Sequence, residues 1–208
     1  ASAWIISLPR SSRSLAPLDH MSATERVRAL VLDRVPYKEY DRLYTLLTRE
    51  RGLVRARARG AAKPQAKVRP HLESFGLVDV MLVRGRAVYL MAAAELLEPW
   101  RMPGLEAQLQ VRGAGLTVAR IMREHHQDEA VFDLLAAFWR DSVSLHCSLL
   151  KAREVHFYWS LLGELGYNGN CERCVACGAI GAASMRFEPS AGTFLCSGCK
   201  THGGVEFS

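Results

Sequence analysis

The chain has 208 residues, 49% of them hydrophobic and 23% charged, with a net charge of +6. That balance excludes a disordered or fibrous protein and is enough for one or two packed domains. No apolar run reaches the roughly 18 uncharged residues of a membrane helix, so no membrane span is expected.

Residues 1–21 read as a leader that stands apart from the fold. A short apolar start, Trp4 to Pro9, runs into Arg/Ser-rich sequence, without the charged-then-apolar order of a signal peptide. His20-Met21 has the look of a cloning junction, and Met21-Ser22-Ala23-Thr24 that of a natural start. From there the pattern is that of short strands: Val27–Leu32, Arg42–Thr48 and Gly52–Gly60, set out by Pro36 and Gly52, then Leu77–Val83 and Ala87–Ala92, joined by Arg84-Gly85-Arg86. Five strands linked by sequential antiparallel hairpins, with no long helical crossover, predict a five-stranded OB-type barrel over residues 22–100.

Positive charge is concentrated in this part. Between Arg49 and Arg69 stand eight basic residues and one acid, Glu50. Such a footprint on a small domain points to a nucleic-acid binder. Arg55, Arg57 and Arg59 alternate with Val54, Ala56 and Ala58, so a strand puts the guanidiniums on one face and the small apolar residues on the other. A solvated strand face is the plain alternative. Yet three like charges at two-residue spacing repel, and no nearby carboxylate in the sequence neutralises them, whereas a phosphate backbone would. The Gly/Pro-punctuated loop 60–70 adds Lys63, Lys67 and Arg69, cations that a compact barrel does not need for packing. With Arg84 and Arg86 of the hairpin these residues form the predicted DNA-binding set. Tyr37, Tyr40, Tyr44, Phe75 and Tyr89 are the available stacking aromatics; Tyr44 and Tyr89 fall within strands where burial is equally expected. Backbone-dominated, sequence-tolerant binding follows.

From residue 101 to 170 the periodicity changes to helical, over Leu105–Glu124, Glu129–Trp139 and Ser142–Leu165. Val131, Leu134, Leu135 and Phe138 form one apolar stripe, and Phe157, Leu161, Leu162 and Leu165 repeat it on the last helix. Phe138, Trp139, Phe157, Tyr158 and Trp159 read as core. Gly163 and Gly166 close that helix ahead of the final segment.

Residues 171–208 carry Cys174, Cys177, Cys196 and Cys199: two C-x2-C pairs around an 18-residue spacer, the pattern of a four-thiolate zinc site. Gly178 and Gly198 supply the tight backbone of such turns. Cys171 makes the run C-x2-C-x2-C, but the sequence that follows lacks the fourth cysteine of a ferredoxin cluster. A disulfide framework fits poorly with six cysteines, five of them within residues 171–199. One structural zinc is predicted, in a module and tail packed on the helical domain, and the fold class is α+β.

No catalytic residue is expected. His71-Leu72-Glu73 with Cys174-x2-Cys177 superficially matches a zinc deaminase signature, but Arg173 replaces the proline and four close thiolates leave no open metal position. His125-His126, His146 and His156 belong to no motif, and neither a phosphate loop nor a nucleophile elbow is present.

Several stretches carry a resemblance: Glu25-Arg26-Val27-Arg28-Ala29-Leu30-Val31-Leu32, Arg57-Ala58-Arg59-Gly60, Leu162-Gly163-Glu164-Leu165-Gly166-Tyr167 running into Cys174-Val175-Ala176-Cys177-Gly178, and Phe187-Glu188-Pro189-Ser190-Ala191-Gly192. Over residues 22 to about 200 the chain resembles the bacterial recombination-mediator family RecO. In that pattern the position of Cys171 is usually apolar, which favours Cys174 and Cys177 as ligands. The resemblance implies a non-enzymatic, cytoplasmic, nucleoid-associated DNA repair protein that binds single- and double-stranded DNA and anneals complementary strands. It also implies action with RecR and single-strand-binding protein, and through them indirectly on RecA filament loading. Members bind the acidic C-terminal tail of single-strand-binding protein through the helical domain, for which Arg120, Arg123 and Arg140 are available cations here, and some lack the zinc ligands. A zinc-ribbon adaptor that binds protein without annealing strands is the alternative.

Overall fold

The structure, a computed structural model, describes residues 24–66, 68–144, 147–167, 172–181, 184–188, 192–199 and 205–207. The predicted leader and the positions of Lys67 and Cys171 lie outside the described residues. Strands β1 (Thr24–Tyr37), β2 (Asp41–Thr48), β3 (Gly52–Ala58), β4 (Gly76–Val83) and β5 (Tyr89–Pro99) form a closed barrel in the order β1-β2-β3-β5-β4. Alternation explains its inside. Val54, Ala56 and Ala58 of β3 and Val78, Val80 and Leu82 of β4 are buried in one cluster with Tyr44 and Leu46.

Three details differ from the sequence expectation. β1 runs through Pro36, which lies opposite Arg42. Only Thr24–Leu30 pair with β4, so by Pro36 one edge of the strand is free and the missing amide donor costs little. β5 reaches Pro99 although Ala92-Ala93-Ala94-Glu95 has no β-branched residue, because two register shifts against β4 let it coil round the barrel. Nor are the hairpins sequential. β3 and β4 are not neighbours, and closure comes from a short parallel pairing of Ala56–Ala58 with Tyr89–Met91.

The link from β3 to β4 therefore crosses the barrel mouth instead of turning back. It contains α1 (Arg69–Glu73), and its Ala61 and Leu72 are buried in the barrel cluster. Part of the 60–70 segment thus packs as a plug, contrary to the expectation that the barrel has no use for it.

Helices α2 (Leu105–Ile121), α3 (Glu129–Asp141) and α4 (Cys147–Glu164) pack outside β1 and share a core with Leu30, Leu32, Leu47 and Leu53 of the barrel wall. Asp128 caps α3, its side chain accepting the Val131 N–H at 3.0 Å. Trp139 is the centre of this core. Its indole N–H donates to the Val111 carbonyl at 2.9 Å, and Phe75 and Trp100 meet its ring edge-on. Gly115 makes room for it, since an added Cβ would lie 2.9 Å from the Trp139 ring. Phe138 stacks on Phe157 of α4 at 4.8 Å.

The predicted stripes hold for Val131, Leu135, Phe138, Phe157 and Leu161, but Leu162 is 44% and Trp159 48% exposed. Both are turned away from the face that carries Phe157 and Leu161, and Trp159 reaches out to Phe194 of the cysteine module. Helix α4 ends with Gly166 at φ 83° and the Tyr167 N–H bonded to the Leu162 carbonyl, a Schellman stop that aims the chain at that module. There β6 (Met185–Glu188) lies between β7 (Thr193–Cys196) and β8 (Val205–Phe207).

Candidate nucleic-acid interface and metal centre

The helices cover the β1 side of the barrel wall and the start of β3 at Leu53, and leave the outer face of β3 open from Arg55 onward. Arg55 is exposed and Arg57 half-buried on that face, with the small apolar residues inside, as the alternation predicts. Arg59 follows the strand end, close enough for its charge to bear on Asp41.

The carboxylates that the sequence did not bring near these arginines come from elsewhere in the fold. Asp41, from the start of β2, accepts from Arg57 Nε at 2.6 Å and from the Gly60 amide at 2.8 Å. Together they hold its carboxyl below the ordinary 3.8, the Gly60 amide first and then the Arg57 guanidinium. Glu124, from the connector between α2 and α3, meets Arg55 Nε at 2.7 Å. Arg49 bonds Asp133 and Glu129, Arg51 bonds Glu25, and Arg69 bonds Glu73 one helical turn away. The basic run is thus largely paired within the chain. Apart from the part-buried Arg57–Asp41 pair, these pairs are at the surface, where each is worth at most about 1 kcal/mol and can be exchanged for a phosphate.

Two tyrosines stand among the cations. Tyr37 and Tyr40 flank the β1–β2 turn and are 38% and 49% exposed. Arg57 lies 5.3 Å and Lys38 5.8 Å from the Tyr37 ring centre, and Lys63 lies 5.2 Å from that of Tyr40. Beyond Arg55, at the other end of the β3 face, Arg84 and Arg86 of the β4–β5 connection join Arg51 around a cleft that also takes in Tyr89 and His125. The predicted residues Arg55, Arg57, Lys63, Arg84 and Arg86 therefore belong to one track. Arg69 pairs with Glu73 on the plug, and among the described residues no ring contact or cleft links it to the other cations. Sequence reading did not single out Glu124, set His125 aside as part of no motif, and counted Tyr37 and Tyr40 only as available aromatics; Glu124 and His125 both come from a helix connector.

In the module the sulfurs of Cys174, Cys177, Cys196 and Cys199 all lie within 4.8 Å of one another. Cys174–Cys199, Cys177–Cys196 and Cys196–Cys199 are 3.8, 3.6 and 3.7 Å apart. Four thiolates ~2.3 Å from a shared tetrahedral ion sit at about 3.8 Å from each other, so the set fits a metal. Its turns are built from backbone: Gly178, at φ 74°, donates to the Cys174 carbonyl, and the Val175 amide donates to Phe194. Gly198 has no positive φ, and an added Cβ there would sit 3.8 Å from the Cys196 sulfur, an ordinary contact, so only the first of the two predicted glycines is required. The amides of Cys196 and Cys177 draw the Cys174 thiol down to about 6, while the thiols of Cys177, Cys196 and Cys174 push Cys199 up to about 12. Four sulfurs this close cannot all hold charge by themselves; a divalent cation among them removes the conflict.

A closed barrel with a cationic, tyrosine-bearing outer face, braced by helices and carrying a four-thiolate module, suits the class of nucleic-acid-handling proteins, and no helix among the described residues is long and apolar enough to cross a membrane. Comparison with known proteins narrows this. Residues 21–100 match the family model "Recombination protein O N terminal" and residues 116–207 match "Recombination protein O C terminal". The DNA repair protein RecO of Gloeobacter violaceus is 33% identical, over 88% of this chain and 72% of its own length. That of a Nocardioides species is 33% identical, over 86% and 75%, and that of Desulforudis audaxviator 30%, over 84% and 70%. The chain belongs to the RecO family of DNA repair proteins.

Proposed function

We propose that the chain is a non-enzymatic recombination mediator of the bacterial cytoplasm and nucleoid, built from an OB-type barrel (22–100), a helical domain (101–170) and a cysteine module (171–208). It binds single- and double-stranded DNA, anneals complementary strands, and acts with RecR and single-strand-binding protein, whose C-terminal tail it contacts, to promote RecA loading. A single structural zinc held by Cys174, Cys177, Cys196 and Cys199 keeps the module folded.

The observation that carries this reading is the outer track from Tyr40 and Lys63 through Tyr37, Arg57 and Arg55 to Arg84 and Arg86. Cations at this spacing hold a phosphate backbone, and exposed rings between them accept bases of any sequence, as annealing requires. Arg59 extends the track, and Lys67, which lies outside the described residues, and Arg69, paired with Glu73, are proposed with it from the sequence. Binding energy serves in place of chemistry, so no catalytic group is needed.

A second reading has its own support. The ion pairs that occupy Arg49, Arg51, Arg55, Arg57 and Arg69, together with exposed Val155, Trp159 and Val175, suit a zinc-ribbon adaptor that binds protein. Annealing of complementary oligonucleotides precoated with single-strand-binding protein, at two salt concentrations, decides between them. Acceleration that weakens with salt supports the mediator; absence of DNA binding at either salt leaves the adaptor.

A further inference from the structure

The track ends in a cleft of about 400 Å³ between the β4–β5 connection, the β2–β3 turn and the α2–α3 connector. Its size falls within the ~300–1,000 Å³ of small-ligand pockets. Arg51 and Arg55 in its wall have carboxylate partners, Glu25 and Glu124, but no ion pair among the described residues engages Arg84 or Arg86. Tyr89 and His125 supply an aromatic surface, their ring centres 5.9 Å apart and tilted by 55°.

His125 is held there by the fold. It has φ 61°, a left-handed conformation uncommon for a residue with a side chain, and its N–H donates to the Leu53 carbonyl at 2.9 Å. Glu124 bridges to Leu53 beside it. Gly52, at φ 64°, lets the connector press down on β3, for an added Cβ would lie 1.9 Å from the His126 carbonyl oxygen. A strained residue pinned by a backbone bridge to Leu53 and by the close approach at Gly52, with its ring against a tyrosine and next to cations without an ion pair among the described residues, marks a site built to receive something.

We infer that this cleft takes one unpaired nucleotide of a bound single strand, with its base against Tyr89 and His125 and its phosphate on Arg84 and Arg86. The inference rests on the nucleic-acid reading above and adds to it a means of telling single strands from duplex. The outer track holds phosphates of either form. A base inside a duplex has both faces stacked and reaches a concave aromatic wall only by flipping out, whereas a base of a single strand enters freely.

The test uses the full chain and two fluorescein-labelled probes, oligo-dT and a duplex of equal length, read by anisotropy. Tyr89→Leu keeps apolar bulk in a half-buried position, and His125→Asn removes the ring while tolerating the left-handed backbone. The double variant is expected to lose at least about fivefold in single-strand affinity, the lower end of what one lost base stack costs, with duplex affinity within about twofold of the parent. A 2-aminopurine moved along the oligonucleotide should respond at one position in the parent and at none in the variant. Equal loss for both DNA forms, or none with binding intact, overturns the cleft and leaves the track standing. Failure of the parent to bind either probe sinks the reading beneath it. Should the double variant not fold, the single variants Tyr89→Leu and His125→Asn probe the same aromatic wall, and a smaller but still preferential loss of single strands is expected from each.

Discussion

The barrel buries Tyr44, Leu46, Val54, Val80 and Leu82 completely and adds Leu72 as a plug, whereas among the described residues of the cysteine module the buried cluster is Cys174, Leu195 and Cys196. One region is held by apolar side chains from five strands that close on each other. The other, among its described residues, places its sulfurs where an apolar centre would be. Strand closure gives the barrel an apolar core of its own, and a module centred on four thiolates is expected to owe its order to a metal held among them.

The largest effect should come from breaking the module. Cys174→Ser or Cys199→Ser, or prolonged chelation, is expected to remove one zinc per chain and expose the module to limited proteolysis while the barrel resists cleavage and still binds DNA. Equal cleavage of both regions would erase the contrast. On the barrel's side, Leu72→Ala should cost ~2–5 kcal/mol in denaturant unfolding, because it empties a fully buried position, and should leave zinc content unchanged.

A smaller effect separates packing from charge. Glu124→Gln frees Arg55 from its partner, so DNA affinity should rise by a few fold and the salt dependence of binding should steepen by up to about 0.9 of a unit for duplex and about 0.7 for single strands. Weaker binding would mean that Glu124 positions Arg55 for DNA instead of competing with it. The smallest effect concerns acid. Asp41 has a carboxyl held below 3.8 in the fold, so its contribution is fully present above that value and fades as pH falls through the lower folded one. Asp41→Asn should therefore be less stable than the parent at neutral pH, and the difference should vanish at the acid end of a pH series of thermal melts.

Much of the fold was legible in residue order. The alternation of Val54, Ala56 and Ala58 with arginines located β3 and its two faces, and the helix breaks fell within a few residues of their observed places. Closure was not legible. It depends on a parallel pairing between strands some thirty residues apart and on bulges in β1 and β5, for which local pattern has no signal. The charge of the interface was misread for a related reason: Asp41 lies 16 residues from Arg57, and Glu124 enters from a helix connector. Only folding makes them neighbours.

By itself, then, the sequence determined the four cysteines as one ligand set, the side of β3 that faces out, and the family. Short-range spacing is enough for the cysteine pairs and the strand face, since a C-x2-C turn and a strand's twofold repeat are local geometry, whereas the family rests on the resemblance of whole stretches of sequence. Tertiary structure decided which cations stay unpaired, which aromatics lie beside them, and that a histidine from the helical part completes a cleft on the barrel. Those follow from contacts between distant segments, whose energies depend on position in space and not on position in the chain.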